Sequence, residues 1–315
     1  SAGSNLQSSG SIALGYQAGF SCLTENSIAI GYQSGYQNNI SSTLYVSVGN
    51  GSTNSIVTST NGITWSGLGK TIFNGSGNAI ISSNNTLFVA VGLGSSNTIA
   101  YSSNGLLWTG LGNTIFSTSG NDIIWTGNNY VSIGSGSTNT LAYSSSGTVW
   151  TGLGTSVFYK TGNSIMYDNI SKVIAGGTSL SIYVLVGSGT NTIAYSFNDI
   201  STFTGLGTNI FSTRGNGVIW GGDRFVALGE GTNTIAYSFD GIIWTPATSP
   251  FTTDGQNVCW TGVSSGSPTS TADSKVQRYI AVGAGTNTIA YSSDAITWTS
   301  SSPKSVSNFT AGTGG

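Results

Sequence analysis

The chain has 315 residues, enough for one large all-β domain or two ordinary domains. Only 6% of the residues are charged, the formal net charge is −2, and there is no histidine. This composition gives no electrostatic footprint for nucleic acid or an anionic membrane, and it excludes nucleophile–histidine triads and Cys/His zinc sites. The 47 glycines and 11% aromatic residues are typical of a many-stranded β protein rather than a disordered tract.

Residues 1–39 contain a short repeat, because SIALGYQAG at residues 11–19 recurs as SIAIGYQSG at residues 27–35. The alternation of Ile12 with Leu14, and of Ile28 with Ile30, predicts short strands with these side chains pointing inward. The pattern resembles the head repeats of trimeric autotransporter adhesins, which also occur in phage and viral fibre proteins. The resemblance implies a β-roll in which three chains wind together, so residues 1–39 are predicted to form a fibre-type junction and a homotrimer.

Two such repeats cannot bury a core alone, because each stacked unit needs neighbours. Either more repeats precede Ser1, or the pair packs on partner chains; an irregular hairpin leader on a monomer is the alternative. The chain begins with Ser1, and Met166 is its only methionine. We therefore expect a fragment or a processed product.

Residues 40–315 carry a longer unit in six copies, each marked by an aromatic anchor. The anchors are Trp65, Trp108, Trp150, Phe203, Trp244 and Trp298. The shortest spacings between them, about 42 residues, are those of a four-stranded propeller blade. The sequence therefore predicts an all-β fold with a six-bladed β-propeller, seven blades being the alternative count. Residues 37–42 would supply the innermost strand of the first blade, and two long intervals predict inserted loops at residues 169–181 and 262–277.

Each copy divides into four strand-like pieces, which in the fifth copy are residues 217–220, 225–229, 234–238 and a short piece ending on Trp244. The turn at residues 229–233 contains Gly and Asn, which are expected to supply the positive φ angles of a tight hairpin. No stretch has a helical period.

The turn before the last piece reads Ser238-Phe239-Asp240-Gly241-Ile242-Ile243-Trp244. It resembles the Asp-box repeat of sialidase-like propellers, although it is one residue shorter than the standard box. Other copies place Asn61, Asn104 and Ser146 at the aspartate position. A short oxygen side chain there accepts backbone N–H bonds across the turn, so the box is predicted to be structural. We predict no metal site and no cofactor.

The resemblance makes a sialidase-like, glycan-active enzyme one alternative. That family uses three arginines, a Tyr–Glu nucleophile pair and an acid aspartate. Here the three arginines, Arg214, Arg224 and Arg278, all lie in the last third, and the only glutamates are Glu25 and Glu230. Paired-carboxylate chemistry needs two acids close together on one face. We therefore predict that the protein is not an enzyme.

One face of the predicted propeller would carry the Gly-Thr-Asn turns at residues 189–191, 231–233 and 285–287, together with the links between blades. Their Asn and Thr side chains are possible partners for sugar hydroxyls, and the positions at which the copies differ suggest Arg214, Glu230 and Lys70 as ligand-binding residues. The predicted function is a non-catalytic structural and adhesive protein of an extracellular, virion or cell-surface fibre. Its propeller head would bind a host glycan or protein receptor, with other fibre components as partners and neither nucleic-acid binding nor membrane insertion. A soluble multivalent lectin is the other alternative.

The two cysteines, Cys22 and Cys259, do not form a disulfide framework. Cys259 stands where other copies have Ile81, Ile124, Met166 and Ile219, so a buried apolar thiol is predicted there.

Overall fold

The computed structural model describes residues 5–7, 12–14, 21–23, 28–30, 44–83, 87–173, 179–261 and 278–301; side chains are described from residue 44 onward, except at 169–173, 179 and 180. The chain divides into two compact units, residues 1–46 with 58–66 and residues 47–57 with 67–315. Every described element is a β-strand, so the predicted all-β class is confirmed. No helix capable of spanning a membrane occurs among the described residues.

Four short strands come first in the chain. They are β1 (Asn5–Gln7), β2 (Ile12–Leu14), β3 (Ser21–Leu23) and β4 (Ile28–Ile30). β1 pairs with β3 and β2 pairs with β4, both in parallel, and Ile12 lies opposite Ile28. The backbone thus pairs each repeat in register with the next. The β-roll and the trimer remain predictions, and the predicted boundary between residues 39 and 40 lies outside the described residues.

The long unit forms six successive groups of strands. The first repeat has β5 (Tyr45–Val48), β6 (Ile56–Ser59) and β7 (Ser66–Gly67). The second has β8 (Ser76–Ser83), β9 (Leu87–Leu93), β10 (Ile99–Ser102) and β11 (Thr109–Gly110). The third has β12 (Ser119–Trp125), β13 (Tyr130–Ser135), β14 (Leu141–Ser144) and β15 (Thr151–Gly152).

The fourth repeat has β16 (Thr161–Val173), β17 (Ser179–Ser188), β18 (Ile193–Phe197) and β19 (Thr204–Gly205). The fifth has β20 (Arg214–Trp220), β21 (Phe225–Glu230), β22 (Ile235–Ser238) and β23 (Thr245–Pro246). The sixth has β24 (Asp254–Trp260), β25 (Tyr279–Ala284), β26 (Ile289–Ser292) and β27 (Thr299–Ser300). In the second to sixth repeats the four strands pair antiparallel in chain order, which confirms the four-strand unit. The count of six blades remains a prediction, because residues 37–42 lie outside the described residues.

The hydrophobic cores of the second to sixth repeats lie between neighbouring repeats. Val89 and Val91 of the second repeat, for example, are buried with Ile123 and Tyr130 of the third. Each link contributes one fully or almost fully buried phenylalanine that lies against a glycine of the next second strand. These pairs are Phe73 with Gly92, Phe116 with Gly134, Phe158 with Gly187, Phe211 with Gly229 and Phe251 with Gly283. A Cβ on Gly229 would lie 2.5 Å from the Phe211 ring, so the close approach requires glycine.

Asparagine side chains connect the first strands of successive repeats. In the second to fifth repeats this strand has a β-bulge at its Gly-Asn step, as between Gly120 and Asp122, and in the sixth the bulged residue is Gln256. The bulged Asn121 donates its side-chain N–H to the Gly162 carbonyl of the next repeat at 2.8 Å. Asn78, Asn163 and Asn216 make the same bond to Gly120, Gly215 and Gly255 at 2.7–2.8 Å. Four consecutive repeat boundaries are thus closed by one type of bond.

The Asp-box-like turn has the predicted local role. In the fifth repeat, one carboxylate oxygen of Asp240 accepts the N–H groups of Ile242 and Ile243 at 2.8 Å. Trp244 donates its indole N–H to the Gly241 carbonyl at 3.1 Å, and its ring is buried. Asp294, Asn61 and Asn104 accept the equivalent N–H bonds in their own repeats.

Two predictions about strand ends are corrected. The fourth strand begins after the anchor instead of ending on it, since Thr245 is the residue that pairs with Tyr237. The N–H groups before Trp244 are already bound to Asp240, so they are not available for strand pairing. The insertion predicted as a loop at residues 169–181 partly continues the hairpin, because Lys172 pairs with Leu180. The insertion at residues 262–277 lies outside the described residues.

Cys259 is exposed, so the prediction of a buried thiol was wrong. Side chains alternate along β24, and the neighbouring Val258 points into the core between repeats. Cys259 therefore lies on the accessible side of the strand.

Replacing the bulged asparagine tests its contribution to stability. We expect Asn121→Ala to lower the free energy of unfolding by about 1–2 kcal/mol, because the Gly162 carbonyl loses its donor. Asn128→Ala, in an exposed turn of the same repeat, should change it by less than about 0.5 kcal/mol. Urea unfolding of both variants would measure the difference, and equal midpoints would contradict this role.

Replacing an amide acceptor with a carboxylate tests the turn. Asn104→Asp should stabilise the protein by about 0.5 kcal/mol at neutral pH, because an ionised acceptor binds the Leu106 and Leu107 N–H groups more strongly. The gain is small because solvent screens the charge at this exposed site. Hydrogen bonds from Thr297 and Ile296 lower the pKa of Asp294 in the equivalent turn. A carboxyl group whose pKa is lowered in the folded state stabilises that state at pH values above its ordinary pKa of 3.8. This stabilisation is lost as the pH falls through the lower pKa of the folded state. Melting temperatures against pH would show it; a gain unchanged at low pH would contradict it.

Candidate binding site

The asparagines of the Gly-Thr-Asn turns are bound inside the fold. Asn191 donates to the Val157 carbonyl at 2.8 Å and accepts the Gly207 N–H at 2.9 Å, so it joins the turn to the link before it and to the link that follows the fourth strand. Asn97 and Asn139 make the same two bonds in their repeats. These asparagines do not have the positive φ angle that was expected of them; glycines such as Gly231 do. They are structural clamps.

The threonines after these asparagines are also engaged. The Thr98, Thr140 and Thr192 hydroxyls donate to the backbone carbonyls of Phe116, Phe158 and Phe211 in the next link at 2.8–2.9 Å. Thr234 makes a longer bond of 3.3 Å to the Phe251 carbonyl. These hydroxyls and the asparagine amides are therefore used in joining the repeats, whereas the threonines within the Gly-Thr-Asn turns, Thr190, Thr232 and Thr286, are exposed.

Arg214 and Glu230 do come together. They lie opposite each other on β20 and β21, and the Arg214 Nε lies 2.9 Å from a Glu230 carboxylate oxygen. The guanidinium also reaches Asp254, at the start of β24, with an N–O distance of 3.5 Å. The side chains of Arg214, Glu230 and Asp254 are 46%, 33% and 9% exposed. We call these three residues the charged cluster.

Asp254 was missed in the sequence. It stands at the repeat position of Arg214, which the other repeats fill with small hydroxyl residues, namely Ser76, Ser119 and Thr161. An alignment of the copies at the first residue of the first strand would have found it. The sequence does not reveal that the Arg214 guanidinium pairs with one acid of its own repeat and one of the next repeat.

Lys70 lies in another link, after β7. Its ammonium donates to the Gly51 carbonyl at 3.0 Å. The structure therefore gives Lys70 a local partner and does not bring it into the charged cluster.

A second group of charges joins the fifth and sixth repeats at the opposite strand ends. Arg224 donates to the Asp294 carbonyl at 2.6 Å, pairs with Asp223 and lies 4.9 Å from the centre of the Phe239 ring. Partial burial opposes ionisation of Asp223, but the hydrogen bonds and charge of Arg224, with a bond from Tyr279, lower its pKa. Burial and the Asp223 charge raise the pKa of Tyr279. All three guanidinium nitrogens of Arg224 have a hydrogen-bond partner within the protein, so this group stabilises the packing of the two repeats.

Asp122 is an acid that the sequence reading did not single out. One carboxylate oxygen accepts the Ile123 N–H at 2.8 Å, and the other accepts the Ile165 N–H and the Ser164 hydroxyl at 3.0 Å. Burial raises the pKa of Asp122 despite these three donors. The residue nevertheless remains partly accessible to water. The carboxylate spans two first strands and has no second acid among its described contacts, so it reinforces the asparagine bonds.

A cleft lies apart from the charged cluster. This open cleft of about 270 Å³ lies between the first and second repeats, and Leu68, Ile72 and Trp108 are among the residues that line it. Thr71 is the one lining side chain with a hydroxyl, and the Trp108 indole N–H already binds the Gly105 carbonyl. Among the described side chains, no group of three or more Asp, Glu, Cys or His residues could hold a metal ion.

No protein-family model matches the sequence, and no curated protein matches it. Solved structures do resemble it. YCF48 bound to D1 peptide is 16% identical, with a TM-score of 0.52 over 80% of this chain and 75% of that chain. The extracellular domain of a putative one-component system from B. thetaiotaomicron is 11% identical, with a TM-score of 0.50 over 81% of this chain and 32% of that chain.

A GH74 xyloglucanase from Xanthomonas campestris is 10% identical, with a TM-score of 0.48; the match covers 87% of this chain and 40% of that enzyme. At such low identities the likeness concerns the fold alone. The four-stranded repeats and the match to YCF48 show that this chain has a β-propeller fold.

Proposed function

We propose that the protein is a non-catalytic adhesive head, carried on an extracellular or virion fibre, that binds a host-surface ligand next to the charged cluster. The observation that supports this most is the placement of Arg214 and Glu230. Arg214 begins one strand and Glu230 ends the next, and both are partly exposed on a fold whose repeated asparagines are bound internally. A rigid sheet presents these groups in a fixed geometry, as a binding site requires.

The engagement of the acids argues against catalysis. Glu230 and Asp254 share one guanidinium, and Asp122 accepts three donors from two strands. A glycosidase pair needs one acid to deliver a proton and the other to act as nucleophile or base. The sialidase-like alternative is further weakened by the engagement of Arg224 with Asp223 and the Asp294 carbonyl, which leaves no clamp of three arginines.

The fibre assignment has separate support. The repeats in residues 1–39 resemble adhesin heads, and their backbone pairs parallel in register, as stacked repeats do. Self-association through this segment and contacts with other fibre components follow from the assignment. A soluble lectin with equivalent pockets in every repeat is less well supported, because the asparagines that would recur in those pockets are already bound.

Binding to immobilised glycans and to host-cell surface proteins tests the ligand site. Arg214→Lys keeps a cation beside the buried Asp254 but loses the planar fork, so we expect affinity to fall about tenfold with little change in melting temperature. Glu230→Gln should also weaken binding, whereas Lys70→Ala, which removes a cation in another link, should not. Full affinity in both cluster variants would contradict the site, and turnover of any sialoside or other glycoside would contradict the non-catalytic assignment.

Light scattering of the intact chain tests self-association. The fibre assignment predicts a trimer, with Ile12→Asp and Ile28→Asp shifting it to monomer while leaving the far-ultraviolet spectrum of the propeller unchanged. A monomer at every concentration would contradict it.

A further inference from the structure

The residue after the buried phenylalanine of each link usually caps the next turn. Asn74, Ser117, Ser212 and Thr252 each accept a backbone N–H through a side-chain oxygen at 2.9–3.0 Å. The donors are Ser95, Ser137, Thr232 and Thr286, at the equivalent place in the turn between the second and third strands. The repeated position therefore requires a short oxygen side chain.

Tyr159 is the exception at this position. Its backbone N–H lies beside the Gly189 turn, as in the other repeats, but its only side-chain oxygen is at the far end of the ring. The ring is 70% exposed and makes no ring contact or hydrogen bond within the part of the chain that the structure describes. The repeat thus gives up a cap worth about 1 kcal/mol without gaining an internal contact.

Arg214, in the next repeat, is an exception at a second repeated position, the first residue of the first strand. At its position Ser76 and Ser119 donate their hydroxyls to the bulged asparagine of their own strand at 2.6–2.8 Å. Arg214 turns instead to the charged cluster. The Asn163 amide bonds to the Gly215 carbonyl at 2.7 Å, so β16 and β20 start side by side. The two exceptions therefore lie at the same end of adjacent repeats.

Lys160 adds a cation just before the start of β16. It follows Tyr159, its side chain is exposed, and it has no ion pair among the described residues. Together with the charged cluster, it gives two cations and two anions. This end of the propeller therefore presents an exposed tyrosine in the fourth repeat and, in the repeats that follow it, the charged cluster, and the formal charges of Lys160 and the cluster cancel.

We infer that Tyr159 stacks against a pyranose ring of a neutral oligosaccharide, whose next units reach the charged cluster. The inference rests on the proposed function and names its ligand class. The C–H face of a pyranose is apolar and fits the exposed ring of a tyrosine. Guanidinium and carboxylate groups hold donors and acceptors in fixed planes, which suits neighbouring hydroxyls, and the balanced charge favours a neutral sugar over an acidic one.

The test uses the intact protein and immobilised gluco-, galacto- and manno-configured oligosaccharides, with sialylated and sulfated glycans as comparators. Tyr159→Ala should weaken binding to the neutral series about tenfold, while Tyr159→Phe should stay within about threefold of the unmodified protein. Tyr159→Ser restores the short oxygen that caps the turn elsewhere. It should therefore keep or raise the melting temperature and still lose affinity, which a purely structural role would not produce.

Val149→Ala removes a similarly exposed apolar side chain from another turn and should leave binding unchanged. If the Arg214 and Glu230 variants lose affinity and Tyr159→Ala does not, the stacking role fails and the proposed function stands. If the chain binds only acidic glycans or a surface protein, the assignment to neutral sugars fails. If it binds none of these ligands, both proposals fail.

Discussion

The bond from a bulged asparagine to the glycine carbonyl of the next repeat is the interaction on which the propeller most depends. A four-stranded repeat leaves one apolar face uncovered, and only the next repeat can cover it. Burial alone sets neither the spacing nor the vertical register of two sheets. The amide of Asn121 donates to the Gly162 carbonyl and to the Thr161 hydroxyl of the next repeat and so fixes both, and three further asparagines make the bond to a glycine carbonyl along the chain.

Such a construction explains the unusual composition. Asn, Thr and Gly are abundant because each has a defined place: Asn in the bulge and the turn clamp, Thr at the start of the third strand, Gly against the buried Phe. Few charges are needed because neutral hydrogen bonds within and between the sheets join the repeats. Side chains that differ from the residue usual at their repeat position are therefore easy to recognise. The charged cluster and Tyr159 are departures of this kind, and both weaken the local rules that the other repeats obey.

Much of the fold was readable from periodicity. The spacing of the tryptophan anchors predicts the four-stranded repeat, and the Ser-x-Asp-Gly pattern predicts the turn that Asp240 closes. The start of the fourth strand was not readable, because it depends on which N–H groups the Asp240 side chain takes. The exposure of Cys259 follows from a strand face that only the packed repeats define. Arg214 and Glu230 could be proposed as sites where the copies differ, and an alignment of the first strands would have added Asp254, whereas Tyr159 becomes significant only when its neighbours are known.

Hydrogen exchange with and without a bound oligosaccharide tests most directly whether binding occurs at the exceptions rather than at the repeated groups. The account predicts ligand-dependent protection of the backbone at residues 159–161, 214 and 230, with none at the equivalent strand starts at residues 117–119. Protection spread equally over all repeats would contradict it, since that is the result expected if the shared Asn and Thr groups formed the site.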